Sequence, residues 1–498
     1  MTNQENQVDI QSAHEDEKNS KVTLPPELLS ETQHKVIING EEIAYTATAG
    51  TLILKEEDDE ENEEGEVAKA SIFYIAYTKD DVEDPQTRPL TFSFNGGPGS
   101  SSVWLHLGVL GPRRVVMTDD GYQTPPGRLV DNGYSLLDKT DLVFIDPVST
   151  GYSRAVPGEK PKQFHDVKKD IESVGEFVRM YSTRAGRWAS PKFLIGESYG
   201  TTRAAGLAGY LLDRHGMHLN GIMLISCALN FLTLRFDPGN DLPNILFLPT
   251  YTATAWYHQK LSGDLQKDLY KTLAEVEEFA SGDYALALMK GDTISHEDKD
   301  RIAQRLSAYT GLSTEYIHKT SLRIEIHRFI KELLREQRRT VGRLDSRFTG
   351  IDRDAAGEKS EFDPSYAIIQ GPYTSSLNHY VRTELGFESD LPYEILTGRV
   401  QPWSYDEFQN QYVNVAETLR NAMSKNPKMK VFVANGYYDL ATPYYATKYT
   451  FAHLGLDENL HPNISMGFYE AGHMMYIHHP SLVQLKSDLS GFIDSVIY

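Results

Sequence analysis

The sequence predicts an α/β fold, with a mainly parallel sheet, helices on both faces and a mostly helical insertion. Three observations predict it. Short, nearly continuous apolar runs recur, among them "PLTFSF", "DLVFIDP", "PKFLIGES" and "LNGIMLIS". Such runs suit strands buried on both faces of a parallel sheet. Between two of them, Phe164, Val167, Ile171, Val174, Val178 and Tyr181 recur at helical spacing. Strand, helix and strand in succession imply right-handed βαβ units. Finally, a charged helical stretch separates this region from a second passage with the same rhythm.

Residues 1–30 are polar, acidic and aperiodic, and are expected to be disordered. "HKVIING", "EIAYTATAGTLIL" and "KASIFYIAYT" then read as strands. "KEEDDEENEEGE" interrupts them as a self-repelling, solvated hairpin loop. It lacks the pattern of spaced ligands and glycine of a calcium loop. A first core part is expected over 31–235 and a mostly helical cap over 236–400. Within the cap, "SGDLQKDLYKTLAEVEEFA", "SHEDKDRIAQRLSAYTG" and "TSLRIEIHRFIKELLREQRRTVG" read as amphipathic helices. "DPSYAIIQGPYTSSLNHYVRTELGF" is less regular. Residues 401–498 return to the core pattern, with "VNVAETLRNAM" a helix, "MKVFVANGYYD" and "NISMGFYEAGH" strands, and "SLVQLKSDLSGFIDSVI" a closing helix.

The length of 498 residues suits a core carrying a large insertion. A formal net charge of -21 argues against nucleic acid or an anionic membrane as partner, because both would repel the chain. No apolar window reaches the length of a membrane helix. The N-terminus has neither the basic nor the apolar region of a signal peptide, so a cytoplasmic location is expected. Cys227 is the single cysteine and forms no internal disulfide. It reads as a small buried hydrophobe in a reducing compartment.

"FLIGESYGTTRAAG" carries the chemistry. Gly196-Glu197-Ser198-Tyr199-Gly200 has the G-x-S-x-G spacing between an apolar strand and a helix. A serine at a sharp strand-to-helix turn is forced outward, and the glycines let neighbouring backbone pass close. A serine nucleophile needs a base, and the base an orienting carboxylate. In an α/β-hydrolase these follow in the order Ser, acid, His. Asp439 in "VFVANGYYDLATP" and His473 in "GFYEAGHMMYIHHP" each fall just past a strand, in that order. "FSFNGGPGSSS" supplies a glycine-rich turn whose N–H groups suit an oxyanion. The two expected donors are Gly97 N–H and Tyr199 N–H. No G-K-[ST] follows the turn, which argues against a phosphate-binding loop.

"NGGPGSSS", "DPVSTGYS", "GESYG", "NGYYD" and "GHMMY", in that order, together resemble the serine carboxypeptidase family of the α/β-hydrolase fold. The chain would be a bacterial-type, cytosolic-looking member. The resemblance implies removal of a C-terminal residue from peptides through an acyl-enzyme. Ser198 would be nucleophile, His473 general base and acid, and Asp439 the orienter. It also implies that Asn95, Gly96 and Glu197 bind the substrate's terminal carboxylate. Glu197 suits that role only if one carboxyl of the pair is protonated, and this implies acidic pH for peptide hydrolysis.

Two positions depart from the family pattern. Ser100 stands where the family has a cysteine, in keeping with a chain that has no disulfide. Val109, in "VWLHLGVLGP", stands by ungapped counting where the family often has a second glutamate. His106 and Arg113 are the candidate substitutes. An esterase, amidase or acyltransferase on the same scaffold therefore stays open, as does a non-catalytic binding protein with a decayed site. A metalloenzyme built on His473, His478 and His479 lacks H-E-x-x-H spacing. Glu197 could instead pair with Arg203, and Asn95 could serve only the turn. Asp146 and Tyr152 read as wall and turn residues. A peptide is the expected partner, and no cofactor or metal is required.

Overall fold

The computed structural model describes residues 25–57, 66–119, 121 and 126–497. The disorder expected for 1–30 falls outside the described residues up to residue 24, as does residues 58–65 of the acidic hairpin run. Residues 29 and 30 depart from that expectation, because they already pair in the first strand.

Among the described residues, ten strands form one sheet. They are β1 (Leu29–Ile38), β2 (Glu41–Glu57), β3 (Glu66–Lys79), β4 (Leu90–Phe94), β5 (Asp141–Ile145), β6 (Arg154–Ala155), β7 (Lys192–Glu197), β8 (Gly221–Ile225), β9 (Lys430–Gly436) and β10 (Ile464–Tyr469). The spatial order is β1-β2-β3-β5-β4-β7-β8-β9-β10, with β6 on β3. The β1–β2, β2–β3 and β3–β5 pairs are antiparallel. From β5 to β10 every pair is parallel. Every residue of β4, β5, β7 and β8 is buried, as continuous apolar runs require.

Alternating residues of each strand serve opposite faces. Phe193, Ile195 and Met223 join one cluster with Leu485, Leu489 and Phe492 of the closing helix α9. Leu194 and Ile222 join another with Val174 and Phe177 of α1, Ala204 and Leu207 of α2, and Leu419 of α7. These helices are α1 (Val167–Arg184), α2 (Tyr199–His215), α7 (Ala416–Lys425) and α9 (His479–Ile497), with α8 (Tyr444–Ala452) between the last two in the chain. Phe164, expected in the first helix, lies instead in a 3-10 turn before it. Asp166 caps α1 by accepting from the Lys169 N–H at 2.7 Å, which sets the helix start at Val167.

Between the two core parts lie α3 (Leu242–Tyr257), α4 (Leu269–Phe279), α5 (His296–Thr310) and α6 (Pro364–Thr383), with shorter helical pieces. Asp268 and Ser295 cap α4 and α5. "TSLRIEIHRFIKELLREQRRTVG" forms the short α-helix Ile326–Glu332, capped by Glu325, and a 3-10 turn at Arg335–Gln337. The chain then takes a left-handed turn at Arg338 (φ 54°) into a small strand. Conversely, the irregular-looking "DPSYAIIQGPYTSSLNHYVRT" is the 20-residue α6. Pro364 occupies its first position behind the Asp363 cap, where the missing N–H costs nothing. The insertion packs in two parts. Residues 247–341 supply a separate apolar cluster, joined by Leu440. Tyr373, Leu377 and Tyr380 of α6 pack instead into the sheet's own core.

Candidate active site

Ser198 sits between β7 and α2 with φ 62° and ψ −130°. A non-glycine residue at positive φ is strained and is held there by its surroundings. The Ser198 N–H donates to Ile225 O at 2.9 Å, tying the turn to β8. A Cβ at Gly196 would lie 2.1 Å from Gly200 O. One at Gly96 would lie 2.4 Å from Tyr199 N, so the glycine-rich turn abuts the serine turn with no side chain between them.

The structure brings His473 and Asp439 together with Ser198 at one end of the sheet. His473 Nδ1 bonds Asp439 Oδ2 at 2.7 Å. The Asp439 carboxylate also accepts from Ala441 N–H (2.8 Å), Thr442 N–H (3.0 Å) and Thr442 Oγ1 (2.6 Å). Asp439 is fully buried. With Nδ1 bonded to the carboxylate, Nε2 is left for a proton transfer. The His473 backbone is held at both ends. Its N–H donates to Leu344 O at 2.7 Å, and its C=O accepts from Ser226 Oγ at 2.6 Å. Burial lowers the His473 pKa, but the adjacent Asp439 charge overrides it and the net shift is upward.

Ser198 and His473 line a cavity of about 280 Å³ with Asn95, Gly96, Gly97 and Glu197. Gly97 has φ 102° and leads the turn past the serine. Tyr199 is the first residue of α2, so its N–H has no acceptor within the helix. Gly97 lines the cavity beside Ser198, whereas Tyr199, the next residue after the serine, is not among the residues that line it.

Glu197 is buried and accepts from Asn95 Nδ2 at 3.1 Å and from Tyr476 OH at 2.6 Å. Burial pushes its pKa up to about 7, against the lowering effect of His473 and these two donors. The alternative pairing with Arg203 does not form. Arg203 binds Asp170 through Nε (2.8 Å) and Nη2 (3.0 Å) and donates through Nη1 to Asn95 O at 2.6 Å. Asn95 Oδ1 also accepts from Leu105 N–H at 3.1 Å. Asn95 thus serves its turn through O and Oδ1 while its Nδ2 faces Glu197.

Neither candidate substitute for the missing glutamate reaches this pair. His106 is buried, stacked on Phe144 and bonded to Tyr77 OH at 2.7 Å. Burial lowers its pKa to about 3, so it is neutral. Arg113 pairs with Asp131 and Glu384. Val109 is fully buried, and its C=O accepts from Asn132 Nδ2 at 2.8 Å. His478 bonds Ser481 and His479 bonds Tyr134, so neither converges on His473. Asp146 is buried, raised to about 6 by burial, and accepts from Ser102 N–H (2.9 Å) and Oγ (2.8 Å) just past the glycine turn. Tyr152 packs between Phe73 and Tyr393. Cys227 is buried, and its thiol is pushed up to about 12 by burial, which leaves it unreactive.

Sequence reasoning missed Thr442, Tyr476 and the cap residues Arg343, Leu344, Asp363, Tyr366 and Ile369, which line the cavity with Trp104. The Asp-x-x-Thr spacing in "DLAT" carried a signal for Thr442, since such side chains bond their own turn. The cap residues had none, because only the tertiary fold aims them at Ser198.

Fold and geometry define the class as an α/β-hydrolase fold whose turn serine shares a cavity with a histidine oriented by a buried aspartate. Comparison with known proteins narrows it. The model of the serine carboxypeptidase family matches residues 62–474, and the chain belongs to that family. It is 32% identical over 136 residues to serine carboxypeptidase-like 33 of Arabidopsis thaliana, covering 27% of each chain. It is 36% identical over 106 residues to the pheromone-processing carboxypeptidase KEX1 of Saccharomyces cerevisiae, covering 21% of this chain and 13% of the relative. These matches therefore span about a quarter or less of the relatives' lengths. The crystal structure of the yeast Kex1 prohormone-processing carboxypeptidase superposes with a TM-score of 0.57 at 17% identity, covering 90% of this chain and 91% of that one. This last likeness establishes the fold.

Proposed function

We propose that the chain is a serine-type carboxypeptidase that hydrolyses the C-terminal peptide bond of peptides. Ser198 Oγ attacks the carbonyl carbon as His473 Nε2 takes its proton. The carbonyl oxygen becomes an oxyanion and accepts from the N–H groups of Gly97 and Tyr199. His473 then protonates the leaving amine, and the C-terminal amino acid departs. Water, deprotonated by His473, releases the acyl chain from Ser198. Asp439 fixes the imidazole tautomer and stabilises the imidazolium, with Thr442 fixing Asp439.

The observation that carries this reading is Glu197, a buried carboxyl bonded to Asn95 in the cavity that holds Ser198. Protonated, it donates to a terminal carboxylate; ionised, it repels one. Chemistry needs neutral His473, and binding needs neutral Glu197. The profile for free peptides should therefore be bell-shaped, with apparent pKa values that belong to the interacting pair.

The esterase, amidase or acyltransferase alternative is favoured by one observation, the apolar Val109 with no reach from His106 or Arg113. Peptides with free and amidated C-termini, digested and read by mass spectrometry with Ser198→Ala as control, decide between them. Single-residue losses from free C-termini only, absent in the variant, are expected. Equal cleavage of amidated peptides would sink the carboxypeptidase reading. For location, the lone buried Cys227 supports a reducing, cytosolic setting; the plant and yeast relatives lend no support to a bacterial type.

A further inference from the structure

The two oxygens of Glu197 have different surroundings. Oε1 accepts from Asn95 on the cavity side, and Oε2 accepts from Tyr476 OH at 2.6 Å. Tyr476 is buried in the turn Met475–Ile477 after His473 and is not part of the cavity lining. It bonds the Glu197 oxygen that Asn95 does not reach. Its ring rests on Gly108, where a Cβ would lie 2.2 Å from Tyr476 Cε2 and 3.2 Å from Tyr373 OH. Any side chain at 108 would displace the phenol. The glycine therefore makes the seat, in the π-helical turn His106–Leu110 that also carries Val109.

Both of these donors to Glu197 are neutral. The ionisable groups around it are His473 and Asp439 from the loops after β10 and β9, Tyr476 itself, and Tyr373 from α6, with Arg343 and Asp363 on the cavity wall. We propose that Tyr476, seated on Gly108, is a positioning residue for terminal-carboxylate recognition. Its phenol aims Glu197 at the substrate and sets the pH above which free peptides cease to bind. This assignment rests on the carboxypeptidase reading. Burial raises the Tyr476 pKa, so the phenol remains a donor throughout the working range. A donor favours the ionised carboxylate and so opposes the effect of burial. Without it, Glu197 keeps its proton to higher pH.

The test is Tyr476→Phe, with kcat/KM for a free peptide and its C-terminal amide followed from pH 5 to 9. The alkaline limb for the free peptide should move upward by roughly one pH unit, a tenfold change in proton affinity. The amide should show no such shift. A purely structural loss would lower both substrates alike without moving the limb. A second readout needs no turnover. The carboxylic acid band absent in Glu197→Gln, titrated by infrared difference spectroscopy, should have a higher midpoint in Tyr476→Phe. Gly108→Ala, which displaces the ring, should move it the same way. Equal cleavage of both substrates by the wild type would overturn the carboxypeptidase reading itself. Discrimination by the wild type with an unmoved limb and midpoint in Tyr476→Phe would overturn only the role of Tyr476.

Discussion

Glu197 is a carboxyl whose folded pKa, about 7, lies above its ordinary 4.5. Between these values the unfolded chain has lost the proton and the folded chain still holds it. Stability therefore falls as pH rises through that window, and the loss is complete above about pH 7. Glu197→Gln removes the ionisation. It should stabilise the fold by up to about 3 kcal/mol at pH 8 relative to pH 4, read from denaturant unfolding at both values. Asp439→Asn should keep the fold but lower kcat by about 10⁴, because the amide favours the wrong imidazole tautomer. Steady-state kinetics on folded variant protein check it. The sequence made Ser198, Asp439 and His473 legible through spacing and order at strand ends. It did not reveal Tyr476, which follows the predicted histidine by three residues yet hydrogen-bonds a carboxyl from a different strand. Only the packing of the turn on Gly108 makes that link visible.

At the scale of elements, the strand-to-helix turn is held by a clasp between helices. Arg203 of α2 is buried, bidentate to Asp170 of α1, and bonded to the backbone of Asn95. Arg203→Met leaves the Asp170 carboxylate buried without its partner. It should cost about 3–5 kcal/mol, measured by chemical denaturation. Strands β4, β5, β7 and β8 were readable because each is a short run buried on both faces. Two helices were not readable for a related reason. α3 is apolar almost all round and carries Pro249, and α6 carries Pro372, so neither shows a clean polar face. In the opposite direction, the charged run after residue 320 has the helical period, but only seven residues keep the α-helical conformation before a 3-10 turn at Arg335–Gln337 and the left-handed Arg338.

Across the whole molecule, the insertion is wired into the site. Leu344 O accepts from His473 N–H, Ser346 N–H donates to Tyr438 O, and Leu440 N–H donates to Arg343 O. Residues 343–346 thus run between the two loops that carry the acid and the base. Leu440, next to Asp439, is fully buried in the insertion's own cluster. Leu440→Ala should lose about 2–5 kcal/mol of stability and lower kcat through Asp439, read by thermal unfolding and kinetics together. These bonds were not legible in the sequence, since backbone contacts between residues so far apart in the chain leave no local pattern. Ser198 is proposed to act on peptides whose free C-terminus is recognised by a protonated Glu197. The most direct test is kcat/KM for one peptide and its C-terminal amide, in wild type and Glu197→Gln, from pH 5 to 9. The wild type should prefer the free peptide in acid and lose that preference as pH rises through about 7. The variant should show no such pH dependence. No preference at any pH in the wild type, or an unchanged pH dependence in the variant, would contradict it.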